Sequence, residues 1–71
     1  MSDSVYRVID VVGTSEESWE AAARTAVQTA STSLRDLRVA EVTKLDVLID
    51  AGNIVRFRAR LNLSFKYEGG A

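Results

Sequence analysis

The sequence has no cysteine, no histidine and no proline. Without cysteine there are no disulfide staples. With histidine missing as well, the usual zinc sites, Cys–His and Ser–His nucleophile pairs and imidazole acid–base chemistry are all excluded. Binding of a hard cation through carboxylates stays open. Aromatic residues are few: one Trp, two Tyr and two Phe. Charge of either sign is balanced to a net −1, which gives no global attraction to nucleic acid. No apolar run approaches the ~20 residues of a membrane helix, and no leader pattern is visible, so a cytoplasmic location without a membrane partner is expected. What is present is 71 residues with 46% apolar content, the makeup of one small folded domain. A core of that size rarely supplies more than ~3–5 kcal/mol. Self-association is the main staple left.

Residues 4–12 (SVYRVIDVV) are β-branched and loosely alternating, and Gly13 is expected to end this strand. Val5, Arg7, Ile9 and Val11 share one face, while Tyr6, Val8, Asp10 and Val12 share the other. Apolar residues on both faces suggest a strand covered from both sides. Thr14 followed by Glu17 has the form of a capping box, so a helix is expected over about 15–36. Its apolar stripe would run through Trp19, Ala22, Ala23, Ala26, Val27, Ala30, Leu34 and Leu37. Alanine dominates that stripe. Small residues let a helix lie close on a sheet, but each buries little area.

Two long strands are expected over about 38–50 and 54–67, joined by a three-residue loop Ala51-Gly52-Asn53. The last strand alternates cleanly. Val55, Phe57, Ala59, Leu61, Leu63, Phe65 and Tyr67 form one face, and Arg56, Arg58, Arg60, Asn62, Ser64 and Lys66 the other. Pairing Asp50 with Ile54 sets Val47 opposite Phe57, Leu45 opposite Ala59, Asp46 opposite Arg58 and Lys44 opposite Arg60. Further out the apolar phase of the preceding strand shifts by one residue, which predicts a β-bulge near Thr43–Lys44. The order strand, helix, strand, strand favours parallel pairing of the first two strands through a right-handed crossover, with the hairpin adding an antiparallel strand. The fold class is therefore α+β, β-α-β-β. A strand of ~12 residues spans ~40 Å and a helix of ~20 spans ~30 Å, so one helix cannot cover the hairpin. The sheet must wrap around its helix or extend into a neighbour.

The strongest candidate for chemistry is the ladder Arg56, Arg58, Arg60 with Lys66, whose guanidinium forks suit phosphate or carboxylate groups. Cross-strand pairing with Asp46, Asp50, Glu41 or Asp10 explains the same residues without a ligand. Val39, apolar on a polar face, reads as a ligand platform or a subunit contact. Trp19 reads as a core or interface anchor rather than a cofactor contact. Gly13-Thr14-Ser15 lacks the glycines and lysine of a phosphate loop. An acidic first helical turn accounts for Glu16, Glu17 and Glu20. No catalytic pair is visible, and no enzymatic activity is expected.

The segments 6–19 (YRVIDVVGTSEESW), Ala21-Ala22-Ala23, Val39-Ala40-Glu41-Val42 and 61–65 (LNLSF) resemble the dodecins, and the likeness covers nearly the whole chain. The resemblance implies a three-stranded sheet wrapped around one helix and assembly into a hollow homododecamer. It also implies storage or buffering of flavins, riboflavin or FMN, bound in pairs at subunit interfaces; some bacterial members are associated with coenzyme A. Val39 stands where flavin-binding dodecins carry the Trp on which the ring stacks, Arg58 where they carry a ring-binding Gln, and Lys44 where some carry a carboxylate. The expected site is thus an interface lined by Val39, Lys44, Arg56 and Arg58. There the arginines would hold the polar or phosphorylated part of a flavin or related anionic nucleotide, and Val39 would contact the ring. The alternatives are a flavin-free shell binding another anion such as coenzyme A, a divalent cation such as calcium held by Glu16, Glu17, Glu41 or Asp46, and a scaffold without a ligand.

Overall fold

A computed structural model describes residues 3–66. Tyr67, placed by its alternation at the end of the last strand, lies outside the described residues. The elements are β1 (Tyr6–Ser15), α1 (Trp19–Ala30), β2 (Leu37–Asp50) and β3 (Asn53–Lys66). The order is β-α-β-β, as expected from the pattern. The sheet order is β1-β3-β2, with both pairings antiparallel. This corrects the expected β1–β2 neighbourhood. The two strands run parallel to each other, but β3 lies between them. There its small and apolar residues meet those of β1 on a common face: Ala59 opposite Gly13, Leu61 opposite Val11, and Leu63 opposite Ile9.

Four local expectations are also corrected. β1 does not end at Gly13 but continues to Ser15, because Thr14 and Ser15 still pair with Arg58 and Phe57. The helix consequently starts at Trp19 with Ser18, not Thr14, as its cap. Ser18 is extended (φ −169°) and its Oγ accepts from the Ala21 backbone N–H at 3.0 Å. At the other end α1 stops at Ala30 instead of reaching residue 36. The hydroxyls of Ser31 and Thr32 donate to the carbonyls of Gln28 and Thr29 at 2.9 and 2.7 Å, offering local bonds that compete with further helix. Leu37 belongs to β2 and still packs against the core. The hairpin loop is also shorter than expected. Asp50 pairs with Asn53 rather than Ile54, leaving Ala51 and Gly52 at φ 52° and 80°, the φ signature of a two-residue type I′ turn. A register shift at Leu48/Ile49 absorbs the extra residue, Val55, and restores Val47 opposite Phe57, as the alternation predicts.

The bulge falls where the phase change places it. Register shifts between Val42 and Lys44, and the Thr43 hydroxyl donates to the Arg60 carbonyl at 3.2 Å. Beyond it Val42 meets Leu61 and Ala40 meets Leu63.

The core is small: Ala22, Ala26, Ala59, Leu61 and Leu63 are buried, with Ile9, Val11, Ala23, Val27, Ala30 and Leu37 packed around them. Its small residues set the helix close to the sheet. A Cβ at Gly13 would come within 2.1 Å of the Ala22 carbonyl oxygen. The molecule measures 53 × 20 × 17 Å, whereas a 12-residue helix spans about 18 Å. α1 lies over β1 and β3 and barely reaches β2. Most of the hairpin is therefore uncovered, and so is the face of β1 that carries Tyr6, Val8 and Val12, all exposed. Within one chain β1 is covered from the helix side only, not from both.

Candidate functional site

The sheet has an inner face under α1 and an outer face that no element among the described residues covers. Alternation and the β-bulge decide what the outer face presents. β3 contributes Arg58 and Arg60, β2 contributes Lys44 and Asp46, and β1 contributes Thr14 and Val12 at the same rungs. Val12, Lys44, Asp46, Arg58 and Arg60 line one cavity of about 200 Å³.

Arg58 is held by Asp46 directly across the strand pair. Its Nε donates to Oδ1 at 2.8 Å and its Nη2 to Oδ2 at 3.2 Å, a two-point fork. That hydrogen bonding, aided by the charges of Arg58, Arg60 and Lys44 and opposed by desolvation, holds the Asp46 carboxyl below the usual carboxylate range. The same bond and charge push the Arg58 guanidinium up. Among the described residues the side chains of Lys44 and Arg60 have no hydrogen bond or ion pair of their own. Three cations thus face one carboxylate, and the fork uses that carboxylate at both oxygens. The arrangement offers two positive groups to a third party.

Of the four residues expected at the site, the structure brings Lys44 and Arg58 into one cavity. Arg56 is turned to the side: its Nη2 donates to Glu16 Oε2 at 3.3 Å, past the end of β1. Val39 pairs with Ser64, four residues along β3 from Arg60, which is about 13 Å in a strand. It lines a different hollow with Val27, Leu37, Arg38, Ala40 and Leu63. Within one chain neither joins the cluster. Arg60 completes it and was visible in the ladder. Val12 was not legible as a member, because it arrives through β1–β3 pairing, which the strand order in sequence does not suggest.

The carboxylates proposed for a cation are dispersed. Glu16 pairs with Arg56 and Asp46 with Arg58, and among the described residues no three acidic side chains are grouped to hold a metal. Among the described residues no helix is long and apolar enough to cross a membrane.

Trp19 opens α1 on the inner side. Its ring stands edge-on to Phe57 with centroids 5.1 Å apart, and its Nε1–H donates to the Asp46 backbone carbonyl at 3.0 Å.

Comparison with known proteins accounts for this architecture. The sequence model of the Dodecin family matches residues 5–68. A protein of Mycobacterium tuberculosis named calcium dodecin is 49% identical over 63 residues, 89% of each chain. The solved dodecin of Streptomyces coelicolor superposes with a TM-score of 0.91 at 40% identity, covering 99% of this chain and 100% of that one. The solved structure of the Mycobacterium tuberculosis calcium dodecin, described as calcium-chelating with a novel calcium-binding site, gives a TM-score of 0.81 at 48% identity over 96% and 97% of the two chains. With its family segment matched almost end to end and its β-α-β-β subunit superposing on solved members, the chain belongs to the dodecin family.

Proposed function

We propose that this dodecin is a self-associating, non-enzymatic, cytoplasmic protein that binds and buffers a small anionic ligand on its outer sheet face. FMN or a related phosphorylated nucleotide such as coenzyme A is the ligand class. The observation that carries the reading is the unequal cluster of Lys44, Arg58 and Arg60 around one already engaged carboxylate. A phosphate group takes donors from Lys44 and Arg60 while Arg58, preset by Asp46, presents its fork edge-on. Val39 supplies no aromatic plane, so the phosphate rather than the ring carries the affinity, and riboflavin binds less well than FMN. Repetition of the subunit into a dodecamer repeats the site. Flavin fluorescence titration tests this: FMN should be bound at micromolar protein, more tightly than riboflavin, and Arg60→Ala should weaken it. Absence of binding by FMN and coenzyme A alike would overturn the reading.

A second reading is favoured by one specific observation, the 49% identity to a protein named calcium dodecin. Since no acidic group of three forms among the described residues, calcium would need carboxylates from more than one copy, with Glu16, Glu17, Glu41 and Asp46 as the supply. Calorimetry on chelator-stripped protein separates the two. Calcium binding lost in Asp46→Asn supports the cation reading, and FMN binding lost in Arg58→Ala supports the anion reading. An assembly that takes neither is a scaffold.

A further inference from the structure

We propose that Trp19 is a positioning residue for the outer-face cluster, holding β2 at Asp46 from the opposite side of the sheet so that the Asp46 carboxylate meets the Arg58 fork. Its consequence for ligand affinity rests on the anion reading of that cluster; the positioning itself does not.

Three placements carry the argument. Asp46 and Arg58 are cross-strand partners, and so are their neighbours Val47 and Phe57. Trp19 touches these two adjacent rungs, one at each strand, through its hydrogen bond to the Asp46 carbonyl on β2 and its ring contact with Phe57 on β3. β2 is an edge strand over which α1 hardly extends, so its backbone is little restrained from the helix side. Among the described residues no other side-chain hydrogen bond joins the helix to β2. Thr43 braces the other end of the same stretch by its bond to the Arg60 carbonyl. Of the two β2 members of the cluster, Asp46 is therefore itself a fixed point and Lys44 lies between it and Thr43.

A fork with donors at 2.8 and 3.2 Å tolerates little drift, since hydrogen bonds weaken steeply with misalignment. A backbone at Asp46 held by strand pairing alone would twist more readily and loosen the two-point contact. Arg58 would then sample orientations away from the cavity. Indole is suited to the task because its body packs on Phe57 while its one N–H is aimed at a single carbonyl.

The test uses Trp19→Phe in the full chain, which keeps an aromatic ring and deletes the donor. Titration of the Asp46 carboxyl carbon by NMR reads the fork without any ligand. It should titrate below the usual carboxylate range in the wild type and move towards that range in Trp19→Phe. Unchanged Asp46 titration in a variant with wild-type circular dichroism and sedimentation overturns the proposal. If Trp19→Phe does not fold, the reverse experiment decides: Arg58→Met should displace the Trp19 indole N–H resonance, and an unmoved resonance overturns the proposal. FMN binding should weaken about three- to ten-fold in Trp19→Phe, the size of one hydrogen bond's contribution. A wild type that ignores FMN counts against the anion reading alone, and the carboxyl titration still decides the role of Trp19.

Discussion

Single residues set the tightest limits on this fold. Gly13 sits in mid-strand, where glycine ordinarily weakens pairing, and here it is the helix that demands it. An added Cβ would lie 2.1 Å from the Ala22 carbonyl oxygen and 2.9 Å from the Ala26 Cβ, and a helix backbone carbonyl has little room to yield. Gly13→Ala should therefore lower unfolding free energy by at least about 2 kcal/mol, measured by urea denaturation. Ala22→Gly in the same background should not restore it, since the clash is with a carbonyl. The Asp46–Arg58 pair makes a different prediction, one of pH. A carboxyl held below its ordinary value contributes stability above the unfolded-state value, and that contribution is lost as pH falls through the lowered folded value. Asp46→Asn should thus reduce Tm slightly at neutral pH, slightly because both partners are half-exposed. The difference between variant and wild type should close in strong acid. A difference that persists below the whole carboxylate range would show that the pair does not act through its charge.

At the scale of elements, the hairpin carries its own strain at the tip. Ala51 at φ 52° occupies a region that costs an L-residue roughly 1–2 kcal/mol. Asn tolerates it and matches the Asn-Gly pattern of type I′ turns. Ala51→Asn should raise stability by about 0.5–1 kcal/mol, read as an upward shift in the denaturation midpoint, and an unchanged midpoint would mean the strain is relieved elsewhere. The hairpin also marks what a sequence can and cannot reveal. Strict alternation in 55–65 against a phase change in 40–49 made the bulge at Thr43 and the Asp46/Arg58 rung legible, because period two leaves no freedom once one face is apolar. The turn itself was misread by one residue, since Ala51-Gly52 and Ala51-Gly52-Asn53 differ only by a second irregularity at Leu48/Ile49. The helix bounds failed for a related reason. Thr14 and Glu17 satisfy a capping pattern, but strand pairing with Arg58 is a long-range contact that local pattern does not register. Nor does local pattern register the insertion of β3 between β1 and β2, and with it the arrival of Val12 at the candidate site. The cluster's cations were visible as a ladder; which of them meet was a property of the sheet.

For the whole molecule, the balance of covered and uncovered surface dictates the final expectation. Among the described residues only Leu61 and Leu63 are large side chains buried almost completely, and the remaining buried core residues are alanines. Against this small core stand twelve large apolar residues left exposed among the described residues, Ile49 at 66% and Ile54 at 58% among them, most of them on the projecting hairpin and the outer face of β1. Hydrophobic burial at about 25 cal/mol per Å² is the main term that could offset chain entropy, and one copy forgoes much of it. A groove of about 580 Å³ between α1 and β2, with Ala23, Val27, Ala40, Val42 and Leu61 as its apolar lining and Glu20, Arg24 and Gln28 as its polar lining, continues that uncovered surface onto the inner face. If further copies of the chain supply the missing cover, as proposed above, folding and association are one process. Its signature is a dependence on mass action: the denaturation midpoint should rise with protein concentration, as it does when only the assembled state is stable. Sedimentation at micromolar concentration should show a large oligomer, and Phe57→Glu should abolish folding and assembly together. A folded species sedimenting at 7.8 kDa, with a midpoint independent of concentration, would show that these apolar residues need no cover.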